Sequence, residues 1–476
     1  MAALIRRRNI DATEGPIFSK MIYYVIPLML TNLIQQLYTI ADNLVVGRFS
    51  SDTAALGAIG SSTSIVAFLT ALFSGFAIGT AAIVSQDFGA RDRDAIEKDL
   101  HTSVILSFAV GLAVGAVGFI FARPILELMS TKEEFIESAT VYLKIRCIGM
   151  PFVSLYNIGA ATLRSVGDSK SPLHALTVSG FINVLLNLLF VLVFGMAADG
   201  VALATLASQI ISVVWIFLVL YKRNDEAYAF RFSSLRIDFE TSKRVLRFAI
   251  PGAIQGIGGH VMNLFISSAT NNIFDAELVE ARTIAVNIDS VLVTVLDTYI
   301  SCTLTFTGQN KGAKKPERIK KSLIYSLIQV SSIAFLCGQT MILFKEPLIR
   351  LFVNEELYNV AAITSYAGTI MTIMLTSYIA YAVCCSLCGF IRGLGHPLPT
   401  MVVALVDVFI LRTVWIFLLF PTVRTIEFLY LLYPVSYVLF AAAYAVVSIV
   451  LWRKYKRSVR GESVGSSDTQ AQSKRN

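Results

Sequence analysis

The chain has 476 residues and a net charge of +8, a length that would admit two or three soluble domains and a charge that would admit a nucleic-acid partner. Its composition excludes the first: 55% of residues are hydrophobic, only 15% are charged and mean hydropathy is +0.67, too apolar for a soluble surface. Stretches free of Asp, Glu, Lys and Arg cover residues 21–41, 53–86, 171–198, 248–274, 322–344, 357–391 and 428–452. Each exceeds the roughly 20 residues with which a helix crosses a hydrocarbon core. A transmembrane barrel would instead show short alternating segments. In chain order the predicted membrane helices are 21–46, 53–84, 100–121, 135–163, 173–194 and 201–221, then 245–273, 284–306, 324–344, 360–390, 401–420 and 428–452. The fourth, eighth and eleventh are interrupted by Lys144, Arg146, Asp289, Asp297, Asp407 and Arg412.

Twelve spans put both termini on one side, and Lys and Arg choose which. With both termini cytoplasmic, 30 of the 40 basic residues fall in inside segments and seven in outside loops. The basic balance is therefore topology, and no nucleic-acid partner is needed to explain it. The expected location is a bacterial inner (plasma) membrane, multi-pass and lying in the lipid bilayer. Residues 6–8 are all arginine, but the first apolar stretch is long enough to span, so no removable signal is expected. All six cysteines fall inside predicted spans, and Cys385 and Cys388 read as small buried thiols rather than a redox or metal pair.

The two halves repeat one plan. Pro27 and Pro251 each follow Ile early in spans one and seven. Gln86, Gly89, Ala90 and Arg91 after span two match Gln309, Gly312, Ala313 and Lys314 after span eight. Arg164 and Gly167 match Arg392 and Gly395. The offsets are 224, 223 and 228 residues. An even number of spans per repeat gives both copies one orientation, related by a pseudo-two-fold along the membrane normal with a cavity at their interface. The expected organisation is an N-terminal segment at 1–20, an N-lobe at 21–221, a cytoplasmic linker at 222–244, a C-lobe at 245–454 and a disordered tail at 455–476. A single chain of two repeats is expected to work as a monomer. Gly89, Gly312 and the basic residues beside them are expected to end and cap their helices.

These marks, with the run Gln35-Gln36-Leu37-Tyr38 and the following Asp42, Asn43, Gly47 and Arg48, resemble the multidrug and toxic compound extrusion (MATE) family over roughly residues 15–456. The resemblance implies two six-helix lobes exchanging Na⁺ or H⁺ for organic, often cationic, small molecules, with no further cofactor. In the family's NorM-like pattern a Glu stands eight residues after the span-seven Pro and an Asp in span ten. Here the first position is Gly259, and span ten has no acidic residue. The DinF-like pattern rests on an Asp in span one, here Asp42, with an Asn and an Asp one turn apart in span five. Here those positions are Asn183 and Asn187. The missing second carboxylate favours proton coupling over a tightly bound Na⁺.

Physical reading of the same residues agrees. An ionised group inside a membrane span costs about 2.5 kcal/mol or more and marks function by default. Gln35, Tyr38 and Asp42 fall on one stripe of span one, and Asn183 and Asn187 on one face of span five. Asn157 in span four is a possible third contributor. Such oxygens can replace a cation's hydration shell, and a carboxyl group there can instead carry a proton. The alternative is a solvated Asp42 at the outer interface near Arg48. Pro27 removes a helix hydrogen bond from the Tyr23 carbonyl, so span one can bend there as the charge on Asp42 changes. The alternative is a static kink. In the second half, Asp289, Asp297, Asp407, Arg412 and His260 are expected to border a substrate cavity, where carboxylates and aromatic rings would attract organic cations. Asp407 and Arg412, five residues apart and about 140° around an α-helix, are expected to face different neighbours. His260, beside Gly258 and Gly259, reads as a packed helix–helix contact in preference to a ligand. A related lipid-linked-precursor flippase would want basic groups in its cavity, and an exporter of one metabolite would leave no sharper motif. Prenyl-transfer and zinc-protease motifs are absent, so an enzyme is not expected.

Overall fold

The computed structural model describes residues 9–49, 55–273, 275–353 and 359–459. Among them every regular element is a helix. The twelve large ones are α1 (Ile17–Phe49), α2 (Ala55–Ala90), α3 (Arg93–Ile120), α4 (Glu133–Ile148 and Met150–Ser165), α5 (Lys170–Val193) and α6 (Ala198–Tyr221). The second six are α7 (Phe239–Ile273), α8 (Ala276–Gly312), α9 (Pro316–Leu343), α10 (Val360–Gly393), α11 (Pro397–Val423) and α12 (Leu432–Val459). Ten of the described helices are long and apolar enough to cross a membrane, the last of them from Ile426. The other two places in the twelve are taken by α4 and α7. The single fourth span predicted over 135–163 is instead two helices that meet at Gly149. The next residue but one is Pro151, whose missing N–H interrupts the ladder. The expected disordered tail lies, from residue 460, outside the described residues.

Two six-helix lobes share a central seam. In it α2 packs on α7 and α8, and α8 packs on α1 and α2. Apolar burial gives no preference for helix over lipid inside a membrane, so close approach depends on small residues. A Cβ on Gly75 would fall 2.3 Å from the Ala249 carbonyl, and one on Gly79 would fall 2.9 Å from that of Val245. At the end of the seam that carries the linker, here the linker face, the two halves cross reciprocally. A Cβ on Gly89 would lie 1.9 Å from the Gln309 carbonyl, and one on Gly312 would lie 1.8 Å from the Gln86 carbonyl. Both glycines lie at the ends of their helices, Gly312 as the last residue of α8 and Gly89 as the last but one of α2, and there they also make the crossing. The left-handed residue that turns the chain is the basic one two positions on, Arg91 (φ 60°) or Lys314 (φ 54°).

α1 belongs to both lobes. Its first half, with Ile17, Met21, Tyr24, Val25 and Leu28, joins a core that also contains Ile284, Leu296 and Phe306 of α8 and Tyr378 of α10. Its second half, through Ile34 and Tyr38, packs on the core formed by α3, α4 and α5. Pro27 lies close to the changeover, inside an unbroken helix, and Thr31 donates its hydroxyl to the Pro27 carbonyl at 2.7 Å. The buried Tyr24 hydroxyl bridges the Arg164 carbonyl (2.9 Å) and Thr305 (3.1 Å), tying α1 to both halves.

The segment before α1 is strapped across the linker face. Ile10 N donates to the Gly167 carbonyl at 3.1 Å. Ala12 N donates to Gln309 Oε1 at 2.8 Å, and the Ala12 carbonyl accepts from Asn310 (3.1 Å) and Arg318 (2.8 Å). Beside it Arg223, in the linker, pairs with the fully buried Asp168 and also donates to Asn9 (3.0 Å) and Tyr228 (2.8 Å). Asp168 further accepts from the amides of Lys170 and Ser171. Removing one member of a buried pair strands the other, at about 3–5 kcal/mol. Arg223→Ala is therefore expected to lower the thermal midpoint in detergent by several degrees or more. An unchanged midpoint would show that the pair contributes nothing net.

Candidate functional site

The N-lobe site forms where α1, α5 and α6 meet. Asp42 sits in the last third of α1, half-buried. Its Oδ1 accepts from Asn187 Nδ2 at 2.6 Å, and its Oδ2 lies 3.4 Å from Thr205 Oγ1 of α6. Asn187 Nδ2 is also 3.3 Å from Asn183 Oδ1, one turn earlier on α5. Both asparagines are almost fully enclosed. Asp42 thus lies against protein on two sides. The oxygens of Asp42, Asn183, Asn187 and Thr205 are the ones that could hold a small hard cation, and the Asp42 carboxylate the one that could take a proton.

Tyr38 is placed by a glycine. Its ring lies so close against Gly180 of α5 that a Cβ there would meet ring atoms at 1.7–2.0 Å. Gly180→Ala must displace the ring, and with it the stretch of α1 that carries Asp42. A transport rate reduced severalfold is expected at normal membrane abundance; an unchanged rate would show that Tyr38 has no part in positioning. Gln35, on the same stripe, is exposed, and half-buried Asn157 makes no hydrogen bond to Asp42 among the described residues. The neighbour Gln36, which sequence reasoning passed over, reaches across to α8, 3.3 Å from the Ser290 carbonyl and against the Thr294 hydroxyl.

Sequence reasoning also missed Thr205. A threonine in a membrane helix ordinarily turns its hydroxyl back to the carbonyl four residues earlier, and Thr205 does this too, at 2.8 Å from Val201 O. Only its position opposite Asp42 distinguishes it.

In the second lobe the carboxylates are held, not free. Asp289 accepts from the Tyr378 hydroxyl, and Asp297 accepts from Tyr381 at 2.6 Å with Cys385 Sγ at 3.6 Å. Both tyrosines belong to α10, three residues apart. Asp407 corrects the expectation: Arg412 Nε donates to its Oδ2 at 3.1 Å, and Ser436 of α12 donates to its Oδ1 at 2.6 Å. The physical reason is local geometry. Residues Val406–Arg412 form wide π-type turns, whose i to i+5 register brings positions five apart onto one face. Arg412 also lies over the Tyr433 and Tyr437 rings, 5.5 and 5.8 Å from their centroids. The structure therefore brings Arg412, Asp407 and the tyrosines together, with Asp289 and Asp297 on the neighbouring α8–α10 contact. The His260 side chain lies outside the described residues. No group of three metal-ligating side chains occurs among the described residues.

Twelve large helices in two lobes, ten of them long and apolar enough to cross a membrane, with buried carboxylates and amides inside them, make the fold of a polytopic membrane protein. The MatE family model matches residues 27–189 and 242–418, and the chain belongs to this MATE family of transporters. It is 28% identical over 404 residues to a probable multidrug resistance protein, YpnP, of Bacillus subtilis, covering 84% of this chain and 88% of that one. It is 25% identical over 324 residues to an FAD transporter of Shewanella oneidensis, covering 67% and 70%. Among solved structures, a MATE transporter in its bent conformation superposes with a TM-score of 0.87 over 95% of this chain and 99% of the other, at 18% identity.

Proposed function

We propose that this transporter exports small organic compounds, cationic ones among them, in exchange for H⁺ or Na⁺, by alternating access between the two lobes. The observation that carries the reading is the Asp42 site: one carboxylate in a membrane helix, engaged by Asn187 and Thr205. A buried charge is retained where it is used, and here a single ion can neutralise it. α1 then offers the route from charge to motion. Its two halves pack on different lobes and Pro27 weakens it near the join, so a change at Asp42 shifts one lobe against the other. Asp289, Asp297, Asp407 and Arg412, with their tyrosines, form a second polar and aromatic region that can meet substrate in the other half of the cycle.

The basic faces of the loops support an orientation with both termini in the cytoplasm, in the plasma membrane of a bacterium. A multidrug cargo is supported by the name of the Bacillus relative; a single-metabolite cargo is the second reading, and the FAD transporter among the relatives supports it. The test is ethidium efflux from cells or proteoliposomes under separately imposed pH and Na⁺ gradients. Export driven by one gradient supports the reading and names the ion. No movement under either gradient would reject cation-coupled multidrug export and leave a lipid-linked or metabolite cargo.

A further inference from the structure

Four basic residues lie inside predicted spans; Arg247 is exposed at the start of α7, and two of the other three have evident company. Arg412 is paired with Asp407, and Lys144 lies over the Phe119 ring at 5.4 Å. Arg146 has none. It stands in the first half of α4, half-buried, and its Nε is enclosed without a hydrogen-bond acceptor. Among the described residues no carboxylate lies within 4 Å of it.

Its surroundings place it beside the N-lobe site. Arg146 follows the buried Tyr142 by one helical turn on the same face of α4, in the half of α4 that packs on α6. α6 joins the two groups: Thr205 contacts Asp42, while Leu206 and Gln209 close against Gly149 at the break in α4. α6 thus touches both the helix that carries the carboxylate and the helix that carries the guanidinium.

An unpaired guanidinium inside a membrane helix is costly. Next to a site meant only for cations it would also repel the cargo. Its planar fork instead matches a carboxylate bidentately, and a ligand's acid would supply the acceptor that the protein does not. We propose that Arg146 forms an anion-accepting subsite of the N-lobe cavity, so that the preferred cargo carries an acidic group, as in zwitterionic aromatic compounds. The proposal rests on the reading that this cavity takes substrate.

Rhodamine B and its ethyl ester share one fluorophore and differ by a free carboxylate. Binding of each to the purified transporter in detergent is followed by fluorescence anisotropy. Wild type is expected to bind the acid more tightly than the ester. Arg146→Gln should weaken the acid at least tenfold and leave the ester unchanged or tighter, and Arg146→Lys should keep a preference for the acid. Equal affinity of wild type for the two dyes would overturn the subsite, as would an Arg146→Gln variant that binds the acid normally. Parallel loss of both dyes in Arg146→Gln and Arg146→Lys, at wild-type thermal midpoints, would make Arg146 a counter-ion of Asp42 and equally overturn it. Ethidium efflux separates the two readings: if it proceeds while the acid is not preferred, only the subsite fails. If wild type moves no ethidium and binds neither rhodamine, both fail.

Discussion

Asp42→Asn is expected to reduce efflux at least tenfold while leaving the transporter folded and abundant in the membrane. The substitution keeps the shape of the side chain and removes only its ability to take up or release a charge. Folding should tolerate it, because burying a neutral amide costs less than burying a carboxylate. Asn187, which now donates 2.6 Å to a carboxylate oxygen, can donate to the new amide oxygen instead, a weaker but intact contact. Coupling should not survive, since no other ionisable group touches Asp42 within hydrogen-bond distance among the described residues. The measurement is ethidium efflux normalised to membrane protein, with the pH and Na⁺ gradients imposed one at a time. Full-rate export by the variant would remove Asp42 from the coupling role and turn attention to Asp289 and Asp297.

The second large effect is expected from Gly89→Val and, symmetrically, Gly312→Val. A Cβ at either position would sit under 2 Å from a carbonyl oxygen of the opposing helix. Neither obstacle is the end of a flexible side chain: each is backbone, so the α2–α8 crossing has to separate. Nearby contacts would go with it, including Gln86 Nε2 to the Gly393 carbonyl (3.1 Å) and Lys311 Nζ to the Leu394 carbonyl (2.8 Å). The variants should lose most transport and leave the linker face open. A thiol reagent reaching Ser85→Cys from that face would report the opening, since Ser85 is fully buried at the seam. Transport at the wild-type rate would mean that the seam need not close this tightly in the cycle.

The sequence disclosed the architecture well because membrane burial leaves a coarse signal. A run of about twenty apolar residues suits little besides a membrane span, and the repeat offsets linked Gly89 to Gly312 without any coordinates. Asp42 and the two asparagines were legible for a related reason, since polar groups in such runs are conspicuous. What remained hidden depended on helix geometry and on partners far away in sequence. Asp407 and Arg412 meet only because their helix widens, which an α-helical wheel cannot show. Thr205 looks like any threonine satisfied by its own helix. The glycines at the seam signalled a helix end by residue type, but their second use, the close crossing, comes from a helix more than two hundred residues away.

The strap across the linker face sets an order on biogenesis. Ala12 is made well before its partners Gln309 and Asn310, which lie 297 and 298 residues later. At about 5–20 residues per second, roughly 15–60 seconds of synthesis separate them. Through that interval the start of α1 has none of its second-lobe packing, and the first lobe must persist in the bilayer with one wall unfinished. The bolt that fastens the two halves is thus cast first and driven last. A nascent chain stalled before α8 should present the stretch around Ala12 and Thr13 to added protease, while the completed transporter keeps it covered.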